Sequence, residues 1–277
     1  MSGTLNRWCD IRQSAMSNTE NISVTILVKN AESTLHECLE ALRPFGEIVI
    51  VDNGSTDGTA GIVREFAASH GHVKVLESPF IGFGPLKQLA VREASNDWIL
   101  SIDADEVLQE HAVREIDSLS LDEHTVVALA RMNCYDGTWI RGCGWYPDYV
   151  WRLFNRNHTG FNDNIVHEAV VLKEDSRSVR LKEALRHYTA ADISFLLDKM
   201  NRYTSYSAQR KFEQGKRVTV FGALLRGWFV FHRDYLLRGG FRHGYKGFFV
   251  ALYNASGAFY RYMKLYEFWK KEQHVKD

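Results

Sequence analysis

Two β-branched runs in this chain each end in a loop that carries carboxylates. Ile48-Val-Ile-Val51 leads into Asp52-Asn-Gly-Ser-Thr-Asp57-Gly-Thr59, and Trp98-Ile-Leu-Ser-Ile102 leads into Asp103-Ala-Asp105-Glu106. Short continuous apolar runs separated by helical patterns read as strands buried on both faces, which demands a mostly parallel sheet with helices on either side. Ligands on such sheets bind beyond the carboxyl ends of the strands, where both acidic loops fall. Two such loops suggest one pocket for a nucleoside diphosphate held through a divalent cation.

The neighbouring pattern agrees. Ile22–Val28 is a first β-branched run. Thr34-Leu-His-Glu37 has the spacing of a capping box, and Leu35, Leu39 and Leu42 stripe a helix that Pro44 terminates. Val73–Leu76 is a third strand, and Leu86, Leu89, Ala90 and Ala94 mark a third helix. Beyond Glu106 the order changes. Val113, Ile116 and Leu119 predict one more helix. Thr125–Met132, Tyr149–Phe154, Val166–Leu172 and Val179–Leu181 then read as strands with no helix between them. From Asp192 the pattern is almost wholly helical. The expected organisation is a flexible leader over 1–20, an α/β domain over 21–190, and a basic, aromatic-rich helical region over 191–277.

Charge divides along the same line. The formal net charge is zero, yet residues 1–197 hold 18 Lys/Arg against 28 Asp/Glu, while residues 198–277 hold 16 against 6. The four cysteines are scattered, which predicts reduced thiols in a cytoplasmic compartment and no cysteine zinc site. The N-terminus has no basic stretch followed by an apolar core, so no secretory signal is expected. The longest uncharged stretch, Gly247 to Tyr260, has 14 residues. That is too short to cross ~30 Å of hydrocarbon. Neither Gly-x-Gly-x-x-Gly nor a Gly-Lys-Ser/Thr loop is present, which excludes the usual dinucleotide and P-loop sites.

Each candidate residue has a chemical reading and a plainer one. Asp52 can accept hydrogen bonds from a base N–H or a ribose hydroxyl, or it can merely cap the turn. Gly82-Phe-Gly84 lets backbone approach a phosphate, with Lys87 as counter-charge; a simple helix start is the alternative. Asp103 and Asp105 repel one another unless a cation or solvent intervenes, and oxygen ligands favour Mg²⁺ or Mn²⁺. In Phe161-Asn-Asp-Asn-Ile-Val-His167-Glu168, the glutamate suits a general base for an alcohol, with His167 orienting it or touching phosphate. The alternative is a surface pair on a strand end. His187 is a further possible metal or phosphate ligand, or a packed imidazole. The C-terminal aromatic and basic residues, Phe221 to Lys264, suit an anionic bilayer. They suit equally a packing face for the domain or for a second copy in an oligomer. No nucleic-acid-binding module is visible.

With these residues in view, the chain resembles glycosyltransferase family 2, inverting enzymes of the GT-A fold, and more narrowly the bacterial lipopolysaccharide-core β-glucosyltransferases. Val51-Asp-Asn-Gly-Ser-Thr-Asp-Gly-Thr59, Trp98 to Glu106, Trp151-Arg-Leu-Phe154 and Val166-His-Glu168 carry the resemblance. It implies a Rossmann-like sheet with a mixed acceptor-facing half and a C-terminal amphipathic helical region. It also implies a UDP-sugar donor, Mg²⁺ or Mn²⁺, and a glycolipid acceptor at the inner face of the cytoplasmic membrane. Carried over by residue, Lys29, Asn30, Glu32 and Asp52 would line the nucleotide pocket. Asp103 would sit near ribose and metal, Asp105 would bind the cation, and Glu168 would be the base. The Gln-x-x-Arg-Trp motif of processive synthases is absent, which implies one sugar per acceptor. A peptide or soluble acceptor, and a non-catalytic nucleotide-sugar-binding scaffold, remain the alternatives.

Overall fold

A computed structural model of the chain describes residues 17–162, 164, 168–190 and 192–276. The expected leader therefore lies almost wholly outside the described residues. The chain runs β1 (Ile22–Val28), α1 (Leu35–Ala41), β2 (Glu47–Asp52), α2 (Thr59–Ser69), β3 (Val73–Glu77), α3 (Phe83–Glu93) and β4 (Trp98–Asp103). After these come β5 (Glu106–Leu108), α4 (Glu110–Ser118), β6 (Thr125–Tyr135), β7 (Thr138–Trp139), β8 (Asp148–Asn155) and β9 (Arg177–Ala190). Three long helices follow: α5 (Ile193–Glu213), α6 (Val220–His232) and α7 (Gly244–Lys276).

One sheet has the order β3-β2-β1-β4-β8-β6-β9-β5, with β7 added on β6. Its first four strands are parallel. From β4 onward the pairing is antiparallel except between β6 and β9. This matches the GT-A organisation that the resemblance implies, a parallel half joined to a mixed half. Alternation along the strands divides the core. Ile48 and Ile50 face the α1 side with Leu35, Leu39 and Leu42, while Val49 and Val51 face Leu86 and Ala90 of α3. Leu35, Leu39 and Leu42 are fully buried, each stabilising by ~1.5–3 kcal/mol.

Several local expectations change. Thr34 starts α1, but its hydroxyl donates to Ala104 O at 2.8 Å instead of closing a capping box. The strand expected over Val166–Leu172 reduces, among the described residues, to one bridge between Phe161 and Val170. β9 extends far beyond Val179–Leu181, because its partner is the long β6 and a ladder continues wherever backbone finds backbone. Its pairing slips twice. Leu129 faces Leu181 but Arg131 faces Leu185, so two extra residues loop out of β9 around Glu183, which adopts φ +49°.

The C-terminal helices both pack and expose apolar surface. Leu196, Val250 and Ala251 bury against Tyr135, Ile140 and Cys143. α6 meets α7 through small residues: a Cβ on Gly227 would stand 3.2 Å from Phe259 Cβ and 3.3 Å from Ala255 O. Small residues at the contact leave the large ones outside, with Phe221, Trp228 and Leu237 at 68%, 62% and 81% exposure. Among the described residues no helix is long and apolar enough to cross a membrane. Cys38, Cys134 and Cys143 are buried free thiols.

Candidate active site

The loops after β1 and β2 are stitched together by the residues expected to line a nucleotide pocket. Asn30, in the left-handed region at φ +50°, accepts from Thr56 N at 2.8 Å through Oδ1. Glu32 accepts from Gly58 N at 3.0 Å, and Ala31 N donates to Thr59 Oγ1 at 2.8 Å. Asn30 and Glu32 thus hold one loop against the other, while Lys29 is exposed beside them. Asp52 is buried, and its Oδ1 accepts from Gly54 N, Ser55 N and Ser55 Oγ at 2.8–3.0 Å. The turn uses that one oxygen, so the capping role is real and Oδ2 is the oxygen open to a further donor.

The Asp103-Ala104-Asp105 loop is held from two sides. Thr34 binds Ala104 O from α1, and Tyr188 N donates to Asp105 O at 2.9 Å from β9. The two acids diverge. Asp103 takes the Lys87 ammonium at 2.8 Å on Oδ1 and the Arg152 guanidinium on Oδ2. Asp105 faces His187 Nε2 at 3.3 Å. They are not a paired chelate.

Arg152 also donates to Glu106, a carboxylate with no exposed surface, and Arg131 reaches Glu106 at 3.2 Å and Asp148 at 2.7 Å. Acids and bases therefore alternate without a break from Lys87 through Asp103, Arg152, Glu106 and Arg131 to Asp148. Burial works to raise the Asp103 pKa, but Arg152 and then Lys87 outweigh it and hold the carboxyl well below the ordinary range. Burial likewise opposes charge on Arg152, and Asp103 and Glu106 more than restore it, so its pKa rises.

Asn133 extends the chain to Asp105. Its Nδ2 donates to Trp145 O at 2.8 Å, which turns Oδ1 toward His187 Nδ1 at 2.6 Å. Nδ1 therefore donates to Asn133, and Nε2 is the ring nitrogen that faces the Asp105 carboxylate. A ring nitrogen and a carboxylate oxygen facing each other can share a proton or a cation, so the donor set of Asp105 and His187 suits a divalent metal. Lys199 of α5 lies in the same field. Burial lowers its pKa, Asp105 opposes that shift, and Arg131 adds to it.

Glu168 comes to this site through Lys87, whose ammonium lies 3.3 Å from Glu168 Oε1 and bonds Asp103 on its other side. Lys87 is buried and stands over the Phe161 ring at 5.3 Å, so its charge is already engaged by two carboxylates and is not presented to solvent as expected for a phosphate. Gly84 likewise serves a different contact. A Cβ there would lie 2.4 Å from Asn162 O and 2.6 Å from Asn164 O, so its bareness admits the segment leading to Glu168. His167 lies outside the described residues.

The pattern expected for glycosyl transferase family 2 matches residues 23–180 of this chain, spanning both acidic loops and Glu168. The chain belongs to glycosyl transferase family 2. This glycosyltransferase is 30% identical over 254 residues to the lipopolysaccharide core biosynthesis glycosyltransferase LpsC of Rhizobium meliloti, which covers 89% of this chain and 92% of LpsC. It is 28% identical over 268 residues to an uncharacterized glycosyltransferase of Rickettsia typhi, covering 92% and 90% of the two chains. Among solved structures, TarS 1-349 of S. aureus in complex with UDP aligns at TM-score 0.47 and 16% identity, covering 91% and 92%. The mannosyltransferase PcManGT of Pyrobaculum calidifontis, with GDP-Man and Mn²⁺, aligns at 0.48 and 14%, covering 86% and 73%.

Arg152, Glu106, Arg131, Asp148, Asn133 and Lys199 were not among the residues assigned a role from sequence. A signal existed for two of them. Arg131 stands between Ala130 and Met132, and Arg152 between Trp151 and Leu153, and a guanidinium among apolar neighbours inside a sheet requires carboxylate partners. Lys199 carried no such mark, because only the tertiary packing of α5 brings it near Asp105.

Proposed function

We propose that this transferase moves a hexosyl group, glucose by resemblance, from a UDP-sugar to lipopolysaccharide core or a related envelope glycolipid, with inversion at the anomeric carbon. The observation that carries the proposal is the Lys87 ammonium bridging Asp103 and Glu168. It ties the candidate base to the acidic loop, which sequence separation alone left open.

In this scheme Asp52 Oδ2 receives a uracil or ribose donor group, and Asp103, kept ionised by Arg152 and Lys87, meets the ribose side. Asp105 and His187 would hold Mn²⁺ or Mg²⁺, and the imidazole nitrogen tilts the set toward Mn²⁺. When bound, the cation supplies Lewis-acid neutralisation of the leaving diphosphate, an effect worth several kcal/mol. Lys199 adds positive charge on the same side. Glu168 removes the acceptor hydroxyl proton as that oxygen attacks from the face opposite the diphosphate, and Lys87 keeps the carboxylate aimed.

The acceptor assignment draws on the name of LpsC and on the exposed aromatic face of α6. That face, with basic residues around it, suits an anionic bilayer at the inner side of the cytoplasmic membrane. The deciding experiment is a thermal-shift and turnover series with UDP, UDP-glucose and GDP-mannose, with and without Mn²⁺. A uridine-specific, Mn²⁺-dependent rise in melting temperature and a β-linked product from the α-linked donor are expected. No shift with any uridine nucleotide overturns the donor assignment. For the acceptor, sedimentation with phosphatidylglycerol vesicles should be salt-sensitive and fall in Trp228→Glu; binding that ignores both points to a soluble acceptor.

A further inference from the structure

A second cluster of metal-ligating side chains lies at the opposite end of the sheet. His124 precedes β6, His158 follows β8, and Asp175 precedes β9. One ligand atom from each lies within 4.8 Å of the other two. His124 Nδ1 stands 3.1 Å from Asp175 Oδ2, and His158 Nε2 stands 4.0 Å from Asp175 Oδ1. The two imidazoles meet edge to face with centroids 4.8 Å apart.

We propose that His124, His158 and Asp175 form a binding site for Zn²⁺, separate from the transferase centre. The framework around the three is fixed by backbone. Arg177 N donates to His124 O at 2.8 Å, and Thr125 pairs with Arg177 where β6 and β9 begin. Those bonds bring the α4–β6 turn and the start of β9 together before any metal binds. His158 is 4% exposed, so its ring is set by packing. Ser176 Oγ lies 2.9 Å from His158 Nε2 and accepts from Lys173 N at 3.0 Å. The hydroxyl proton can then point at Nε2, which marks that nitrogen as the unprotonated one; a metal would take the same lone pair once the Ser176 hydroxyl turns away.

Two imidazole nitrogens and one carboxylate oxygen are a zinc donor set, with water completing four-coordination; Mg²⁺ prefers oxygen alone. Ligand atoms ~2.0–2.1 Å from tetrahedral Zn²⁺ stand ~3.4 Å apart. Closing from the present spacing needs only side-chain rotation of His124 and Asp175, both exposed. The site is remote from Asp105. Asn133, which orients His187, lies eight positions along β6 from Thr125, ~27 Å at 3.4 Å per residue. Zinc here would join the two ends of the 158–175 segment, whose middle carries Glu168.

The test uses untagged full-length protein stripped with EDTA and dialysed, in an Asp105→Asn background so that zinc cannot score at the acidic loop. Titration with Zn²⁺ against a chromophoric chelator should show one equivalent bound at micromolar or tighter affinity, undisturbed by millimolar Mg²⁺. Zn²⁺ should raise the melting temperature, and Co²⁺ should give the intense visible absorption of four-coordination. His124→Ala and Asp175→Asn change exposed side chains and keep the buried His158, so both should fold by circular dichroism; each should weaken zinc binding at least tenfold. Zinc binding unchanged in both variants, or no saturable binding in the parent, overturns the proposal and leaves the cluster an ion pair.

Discussion

Asp103 and Asp105 stand two positions apart at one strand end and answer to different counter-charges. Asp103 is clamped by Lys87 and Arg152, whereas Asp105 is left with the Nε2 face of His187. The first acid is locked into a buried ionic lattice. The second is half exposed, with one imidazole beside it. Substitutions at the two positions should therefore fail in different ways.

Asp105→Asn removes a charge that the resting protein does not depend on. Turnover should fall by ~10²-fold or more, as when one group stabilising transition-state charge is lost, while the melting temperature stays near that of the parent. Steady-state rates at saturating Mn²⁺, set beside a melting curve, check both halves. A large drop in melting temperature would mean that Asp105 is structural.

Arg152→Met strips Asp103 and Glu106 of their shared guanidinium, leaving Lys87 alone on the first and Arg131 alone on the fully buried second. Loss of one partner from such a lattice costs ~3–5 kcal/mol. The measurement is the urea unfolding midpoint at neutral pH. Stability within error of the parent would show that Lys87 and Arg131 suffice without it.

Gly84→Ala pushes a methyl group against the carbonyls of Asn162 and Asn164, both backbone atoms that cannot swing aside. The segment must lift from α3, carrying Glu168 away from Lys87. Activity should drop by at least ~10-fold, since small misplacements of a catalytic group can cost up to ~10². Donor affinity by thermal shift should be nearly unchanged. Parallel loss of donor binding and activity would place the damage elsewhere.

Glu47 tests acid sensitivity far from the pocket. Burial tends to raise its pKa, but hydrogen bonds from Ser23 and Ser95 outweigh that and lower it. A carboxyl lowered on folding stabilises fully above its unfolded value, about 4.3, and loses that contribution as pH falls through the folded value. The urea midpoint of Glu47→Gln should therefore lie below the parent's at pH 7. The gap should close as pH falls below ~4. A gap that persists in acid would refute the assignment.

Much of the parallel half was legible because burial on both faces writes itself as β-branched runs, and Asp52 and Asp103 fall at run ends. Glu106–Leu108 was not, since three residues after an acidic turn give no period to count. β9 was misjudged in length because Lys182, Glu183 and Arg186 break any apolar alternation, while the ladder that extends it depends on β6 alone. In the site, residue types revealed the acids but not their partners. Nothing in Lys87 itself announces that a glycine three positions earlier lets a distant glutamate reach it.

The two-residue loop-out at Glu183 has an effect out of proportion to its size. Counting onward from Leu129 opposite Leu181, an uninterrupted ladder would set Leu185 across from Asn133; the insertion sets His187 there instead. Pairing straight through, with nothing looped out, would preserve the in-and-out alternation of every side chain and leave the strand looking intact. Yet an isobutyl group would then occupy the place of the imidazole, and Asp105 would confront hydrocarbon.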